Sequence, residues 1–131
     1  YIESYQVFAD PIYFIQHKNR KSKEIDNGSL LMLEQGHCLR SHILQNNEIS
    51  TKHISNFSCT SISTLVAMVD TNIGVSFLPR MAIDFGVLSH YPNINIDLKS
   101  TKAKRDIGVI YRKNNPQEDN IIKLAQLLMA S

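Results

Sequence analysis

Short apolar runs that alternate with helical patterns are the feature of this sequence that most limits its fold. Leu30–Leu33, Val75–Leu78 and Ile107–Tyr111 are apolar runs of strand length. A segment with helical periodicity follows each of them within a few residues. Alternation of this kind predicts an α/β domain, with a largely parallel or mixed sheet flanked by helices.

The predicted helices have recognisable ends. They cover His37 to about Gln45, a segment beginning at Ser61, Pro79 to about Phe85, and Asn115-Pro116 to Met129. Ser61 is a typical N-cap, and four apolar residues follow it at helical spacing: Ile62, Leu65, Val66 and Val69. Asn72–Gly74 is expected to end this helix.

Five further segments, four strands and a connector, complete the predicted order of elements. Gln6–Ala9 and Pro11–Ile15 are expected as two short strands separated by a bend at Asp10-Pro11. Lys18–Gly28 is a polar connector, and Ile54–Cys59 and Ile94–Leu98 are additional strands.

Composition narrows the class of protein. The 131 residues are 43% hydrophobic and 20% charged, which is ordinary for a single compact domain. A net charge of +2 provides no broad phosphate-binding face, and the basic runs at 17–23 and 99–105 are expected to be solvated loops. If the protein acts on DNA, the DNA-reading part lies outside this chain.

The chain also carries no apparent membrane or export signal. No apolar run approaches the roughly 18 residues of a membrane span, and no signal peptide is apparent, so we expect a cytoplasmic protein with no membrane partner. The first residue is Tyr rather than Met, which suggests a piece of a longer protein.

Cys38 stands where a thiol is expected to be reactive. It falls in the first turn of a predicted helix, where unpaired backbone N–H groups and the positive end of the helix dipole favour thiolate over thiol. His37 and Arg40 add hydrogen-bond donors or positive charge nearby. The alternative is that Cys38 is a small buried residue at a strand-to-helix corner.

Two other chemistries remain open for Cys38. A Cys–His hydrolase would need a base, for which His42 is a candidate. A metal site could combine Cys38 and His42 with His53 or Cys59, but no second paired motif supports it, so we expect neither metal nor cofactor.

The remaining cysteine and two histidines have plainer expectations. Cys59, at the end of a predicted strand, is interpreted as a core residue. His17 and His90 lie in polar segments and are expected to be exposed and without a role.

Three segments carry a resemblance to a known family. LLMLEQGHCLRSH at Leu30–His42 strongly resembles the peroxide-sensing segment of the OxyR regulators, which are LysR-type transcriptional regulators. TSISTLVAMVDTNIGVSFLPRMAI at Thr60–Ile83 looks like the helix, glycine turn and Leu-Pro strand end of LysR-type sensor domains. IGVIYRKNNP at Ile107–Pro116 looks like the closing strand that precedes the C-terminal helix of that family.

The resemblance implies a fold and a set of site residues. The fold would be a periplasmic-binding-protein-like (type II) sensor domain, of which residues 1–131 hold mostly the second subdomain. The DNA-binding winged helix-turn-helix and the first part of the sensor domain would be absent. By position Cys38 would be the peroxidatic thiol, with His37 and Arg40 as its neighbours and Arg112 as an arginine near the thiol.

One position departs from the family pattern. The family carries a resolving cysteine where residue 47 is Asn in this chain. Cys59 is the remaining candidate for a resolving thiol, and a sulfenic acid or a mixed disulfide is the alternative oxidised state.

The favoured hypothesis is a hydrogen-peroxide-sensing regulatory domain and not an enzyme. Homodimers within a tetramer are expected by resemblance, with DNA bound through the missing N-terminal domain and RNA polymerase as a candidate partner of the full-length regulator. The main alternative is a LysR-type domain that binds a small metabolite, with Cys38 only structural. A thiol peroxidase is a third hypothesis, but it needs a recycling route that the sequence does not reveal.

Overall fold

The computed structural model describes residues 1–34, 38–46, 49–98 and 103–130. The strands are β1 (Ile2–His17), β2 (Leu30–Leu33), β3 (Ile54–Cys59), β4 (Ser76–Pro79), β5 (Ile94–Asp97) and β6 (Lys104–Arg112). The helices are α1 (Cys38–Asn46), α2 (Ile62–Asp70), α3 (Arg80–Asp84) and α4 (Glu118–Ala130), with a short 3-10 turn at Thr51–His53. The chain forms two compact units, one made of residues 1–10 and 105–131 and the other of residues 11–104.

The larger unit is built on buried strands. Within it β1 lies between β4 and β5 and is antiparallel to both. β2 pairs with β3 in parallel, and its Leu31 amide donates to the Val75 carbonyl at 2.8 Å. The core comprises Ile12, Phe14, Ile15, Leu30–Leu33, Leu39, Ile43, Cys59, Leu65, Val66, Val69, Val75, Phe77, Leu78 and Ala103. Mixed pairing, with helices packed against it, confirms the predicted α/β class.

Helix α2 begins where its sequence predicts. The Ser61 hydroxyl accepts a hydrogen bond from the Thr64 amide at 3.2 Å, which satisfies one of the free N–H groups of the first turn. Leu65, Val66 and Val69 form the buried face of the helix. The helix ends before Asn72, which adopts a left-handed conformation with φ of 62°.

Gly74 follows this turn and allows a close approach of two backbone segments. A Cβ at Gly74 would collide with the Ser29 carbonyl oxygen and the Leu31 side chain. Because no Cβ is present, the Val75 amide can donate to the Ser29 carbonyl at 2.9 Å.

The smaller unit contains the first part of β1, most of β6, and α4. β6 pairs with β1, and the burial of β6 alternates along its length, as expected for a strand covered on one side. Asn115 Oδ1 accepts from the Gln117 amide at 2.8 Å just before α4, and Glu118 and Asp119 occupy the first turn of that helix. Acidic residues there interact favourably with the helix dipole.

The predicted bend at Asp10-Pro11 is wrong, because β1 runs through it as one strand. Proline and the residue before it both prefer extended backbone, which suits a strand as well as a bend. Pro11 lacks an N–H group, and pairing resumes at Ile12, whose amide donates to the Ala103 carbonyl at 3.0 Å.

Other boundaries differ less. Two predicted strands shift or shorten by a residue, giving Ser76–Pro79 and Ile94–Asp97, and the predicted strand Ile107–Tyr111 extends to Lys104–Arg112. Leu30–Leu33 and Ile54–Cys59 are strands with the predicted bounds.

Most described residues of the two basic runs are exposed, as predicted, but two of the cations form ion pairs. Arg105 Nε lies 2.7 Å from Oδ2 of Asp10, whose side chain is only 1% exposed, and Lys23 pairs with Asp97. His17 was expected in an exposed loop, but it is the last residue of β1, 9% exposed, and its Nδ1 accepts from the Asn19 amide at 3.1 Å. Antiparallel pairing of His17 with Ile94 extends the strand and causes this burial. His90 is exposed, as predicted.

Candidate functional site

The site begins at the carboxyl end of β2. Leu30–Leu33 are all buried, and β2 runs parallel to β3 with Leu33 opposite Cys59. The Glu34 amide donates to the Cys59 carbonyl at 3.0 Å, which continues the pairing one residue beyond the strand. The carboxyl ends of parallel strands are where α/β folds place ligand and reaction sites.

Helix α1 begins at Cys38. This confirms the prediction that Cys38 lies in the first turn of a helix following β2. Leu39 and Ile43, which are 2% and 3% exposed, hold the helix against the core. The first turn contains no acidic residue, so no carboxylate of that turn opposes a negative charge at the helix start. Backbone N–H groups and the positive end of the helix dipole at a helix start favour negative charge.

Arg40 is tied back to the strand that precedes it. Its Nη1 donates to the Leu33 carbonyl oxygen at 3.0 Å, and the residue is half-buried. This hydrogen bond turns the guanidinium group toward the end of β2. A cation fixed at the strand-to-helix junction adds positive potential to the region where α1 begins.

His37 and Arg112 are the two other predicted neighbours of Cys38. His37 lies outside the described residues, together with Gln35 and Gly36. Arg112 is the exposed last residue of β6 and belongs to the smaller unit, whereas Cys38 belongs to the larger one. The roles of His37 and Arg112 therefore stay predictions.

Cys59 has the environment of a core thiol. It is 2% exposed at the end of β3, and its Sγ lies 3.6 Å from the Met68 Sδ, to which the thiol donates. Burial raises the pKa of the Cys59 thiol above its ordinary value, because an apolar surrounding disfavours the charged thiolate. The prediction that Cys59 is a core residue is confirmed.

The described residues contain neither a candidate metal site nor a helix that could cross a membrane. Among residues 1–34, 38–46, 49–98 and 103–130, no group of three His, Cys, Asp or Glu side chains is placed to hold a metal ion. His42, the proposed hydrolase base, is half-buried in α1 one turn beyond Cys38 and makes interactions of its own. No helix in the described part of the chain has the length and apolar character needed to cross a bilayer.

The structure contains a second polar feature that the sequence did not reveal. This feature is a cavity in the larger unit, and its lining includes Gln16, Asn95 and Asp97. Gln16 follows the apolar run Ile12–Ile15 of β1, and the two β5 residues come about eighty positions later, so only the sheet register brings them together. The cationic residues at 17–23 were the one available signal.

Each of the two units contains strands and helix, and the chain passes between the units twice, as in a periplasmic-binding-protein-like domain. The family model described as LysR substrate binding domain matches residues 1–131. The chain belongs to this family.

Two proteins with similar sequences are transcriptional regulators. The chain is 30% identical over 130 residues to the HTH-type transcriptional regulator EstR of Acinetobacter baylyi, covering 93% of this chain and 43% of that protein. It is 33% identical over 107 residues to the DNA-binding transcriptional dual regulator OxyR of Escherichia coli K12, covering 77% of this chain and 33% of that protein. These relatives are transcriptional regulators rather than enzymes, and the chain spans less than half of their length.

A solved structure has the same fold. The OxyR2 E204G mutant regulatory domain from Vibrio vulnificus, in a sulfate-bound form, matches with a TM-score of 0.89 and 29% identity. The match covers 98% of this chain and 65% of that chain.

Proposed function

We propose that this chain is part of the sensor domain of a hydrogen-peroxide-responsive transcriptional regulator, with Cys38 as the thiol that peroxide oxidises. The observation that carries the proposal is the position of Cys38 as the first residue of α1, five positions after the end of the buried parallel strand β2. The resemblance to regulators named for OxyR and for hydrogen-peroxide-inducible genes supports it.

The proposed reaction is a two-electron oxidation. The Cys38 thiolate attacks one oxygen of hydrogen peroxide, the S–O bond forms as the O–O bond breaks, and hydroxide leaves to take up a proton. The sulfur becomes a sulfenic acid while peroxide is reduced to water. Arg40, and His37 and Arg112 by resemblance, would supply positive charge or hydrogen bonds to the thiolate and the leaving oxygen.

Oxidation of Cys38 would be converted into a signal by a change in the packing of α1. Oxidation adds a polar oxygen at the start of α1, a helix held to the core by Leu39 and Ile43. We expect α1 and the strand-to-helix junction to repack, and the change to alter subunit arrangement and DNA contact in a cytoplasmic homo-oligomer. DNA would be bound through a domain outside these residues.

Cys59 is a poor candidate for the resolving thiol. Its burial and raised pKa keep it in the neutral thiol form, which does not act as a nucleophile. With Asn at position 47, the proposed product is therefore a sulfenic acid or a mixed disulfide with a small thiol.

Stopped-flow oxidation by peroxide tests the proposal. The wild-type protein should react much faster than free cysteine at neutral pH, and Cys38→Ser should abolish the fast phase while retaining the fold, since serine provides no appreciable anion. Arg40→Ala should slow the reaction without abolishing it, whereas Arg80→Ala, on exposed α3, should leave it unchanged. A wild-type rate no greater than that of free cysteine would reject the sensor function.

A metabolite-binding function is the second candidate. The absence of a cysteine at position 47 favours it. The sequence identities favour it as well, because the chain is 30% identical to EstR and 33% identical to OxyR, which are close values. Titration of the Cys38 thiol separates the two functions, because peroxide sensing requires a pKa below that of free cysteine and a structural thiol does not.

A further inference from the structure

A polar cavity of about 330 Å³ opens within the larger unit, at the end of β1 where the Lys18–Gly28 connector begins. Its polar lining consists of Gln16, Arg20, Lys21, Lys23, Asn95 and Asp97. The volume is at the small end of the range for ligand sites, which is roughly 300–1,000 Å³. All of these residues belong to one compact unit.

The sheet register builds one wall of the cavity. Gln16 pairs with Asn95, and Phe14 pairs with Asp97, in the antiparallel ladder of β1 and β5. Residues directly opposite in a ladder, and residues two apart on a strand, share one face of a sheet. Gln16, Asn95 and Asp97 therefore line the same face.

The side-chain oxygen of Gln16 is a hydrogen-bond acceptor to which no described residue donates. The residue is only 7% exposed, its Nε2 donates to the Arg20 carbonyl at 3.4 Å, and no group among the described residues donates to its buried Oε1. Because a carbonyl can only accept, the amide nitrogen must face Arg20, and this leaves the oxygen for another partner. A buried acceptor of this kind is costly unless a water or a ligand satisfies it.

The charges around Gln16 favour an anion. Three cationic side chains line the cavity against the single carboxylate of Asp97, which Lys23 Nζ approaches at 2.9 Å. Arg20 Nε is held by the Asn72 Oδ1 at 2.7 Å, so its guanidinium group is fixed in place while its other N–H groups can serve a further acceptor. Lys21 is exposed and has no ion-pair partner among the described residues.

We propose that this cavity binds a small hydroxylated carboxylate. The carboxylate group would be held by Arg20, Lys21 and Lys23, and a ligand hydroxyl would donate to the Gln16 Oε1. The ligand would give the regulator a second input, separate from Cys38. The site does not depend on peroxide chemistry, so it can be tested in the reduced protein or in Cys38→Ser.

Calorimetric titration of the complete protein with L-malate and with succinate tests the site, because the two probes differ by one hydroxyl group. Malate should bind about three- to tenfold more tightly than succinate, the ratio expected when one hydrogen bond to a buried acceptor is lost. Gln16→Met, which keeps the length of the side chain but removes its acceptor, should abolish the difference between the probes.

Two lysines provide a matched pair of variants that should not disturb folding. Lys21→Gln should weaken malate binding about fivefold, since it removes one exposed cation from the cavity. Lys18→Gln, on an exposed residue of the same connector that does not line the cavity, should leave binding unchanged. No detectable binding of malate, equal affinity for malate and succinate, or equal effects of the two lysine variants would overturn the proposal.

Discussion

At the scale of single residues, the two cysteines occupy different positions in the fold. Cys59 is enclosed by the core and donates its S–H to Met68, whereas Cys38 begins a helix whose first turn has no carboxylate. Desolvation favours the neutral thiol, and free N–H groups at a helix start favour the thiolate. The same functional group is therefore expected to be inert at one position and reactive at the other.

Cys59→Ser should leave the peroxide reaction of the protein within about twofold of wild type. The free energy of unfolding should fall by about 1–2 kcal/mol, because a hydroxyl is placed in an apolar site without a good partner. Stopped-flow oxidation and urea denaturation measure the two effects. A tenfold loss of rate in a folded variant would mean that Cys59 takes part in the reaction.

The raised pKa of Cys59 predicts a pH dependence as well. In Cys38→Ser protein, labelling of Cys59 by an alkylating reagent should become fast only at a pH above that needed for free cysteine, since the thiolate is the reactive form. Labelling rates measured from pH 7 to 10, with free cysteine as control, check this. A Cys59 curve at or below that of free cysteine would contradict the burial argument.

At the scale of elements, local sequence signals were sufficient to predict those helix and strand ends that depend on residues nearby in the sequence. The Ser61 cap and the bounds of β2 and β3 followed from residue type and spacing alone. The continuity of β1 did not, because Asp10-Pro11 suits a bend and a strand equally and only the distant partners β4, β5 and β6 decide between them. The burial of His17 was missed for the same reason.

The cap of α2 can be tested by a pair of serine substitutions. Ser61→Ala should lower the free energy of unfolding by about 0.5–1 kcal/mol, since the Thr64 amide loses its acceptor at an exposed position. Ser63→Ala, at an exposed position inside the same helix, should be neutral or slightly stabilising. Equal losses in the two variants, measured by denaturation, would argue against the cap.

At the scale of the whole molecule, charge placement depends on contacts that sequence patterns do not contain. Arg105 was expected in a solvated basic run, yet it pairs with the buried carboxylate of Asp10, 95 positions earlier. The cavity beside Gln16 has the same origin, because β5 reaches it only through sheet pairing. The position of Cys38 at the start of α1 was predictable, because a turn signal and a helical pattern adjoin it in sequence.

Arg105→Gln should destabilise the protein by about 2–3 kcal/mol, because it leaves the Asp10 carboxylate buried without its cation. This expected loss of stability is smaller than for a fully buried ion pair, because the Arg105 side chain is 27% exposed. The double variant with Asp10→Asn should recover part of the loss. Arg80→Gln, which breaks an exposed pair with Asp84, should cost less than about 0.5 kcal/mol, and a similar cost for Arg105→Gln would contradict the assignment.

The central claim is that peroxide oxidises Cys38 itself. Intact-mass analysis after one equivalent of hydrogen peroxide, followed by peptide mapping with a sulfenic-acid trap, tests it most directly. We predict one added oxygen per chain, trapped on the peptide that contains Cys38, with Cys59 unmodified and no addition in Cys38→Ser. An unchanged mass, or an oxygen carried by Cys59 or a methionine while Cys38 remains a thiol, would contradict the claim.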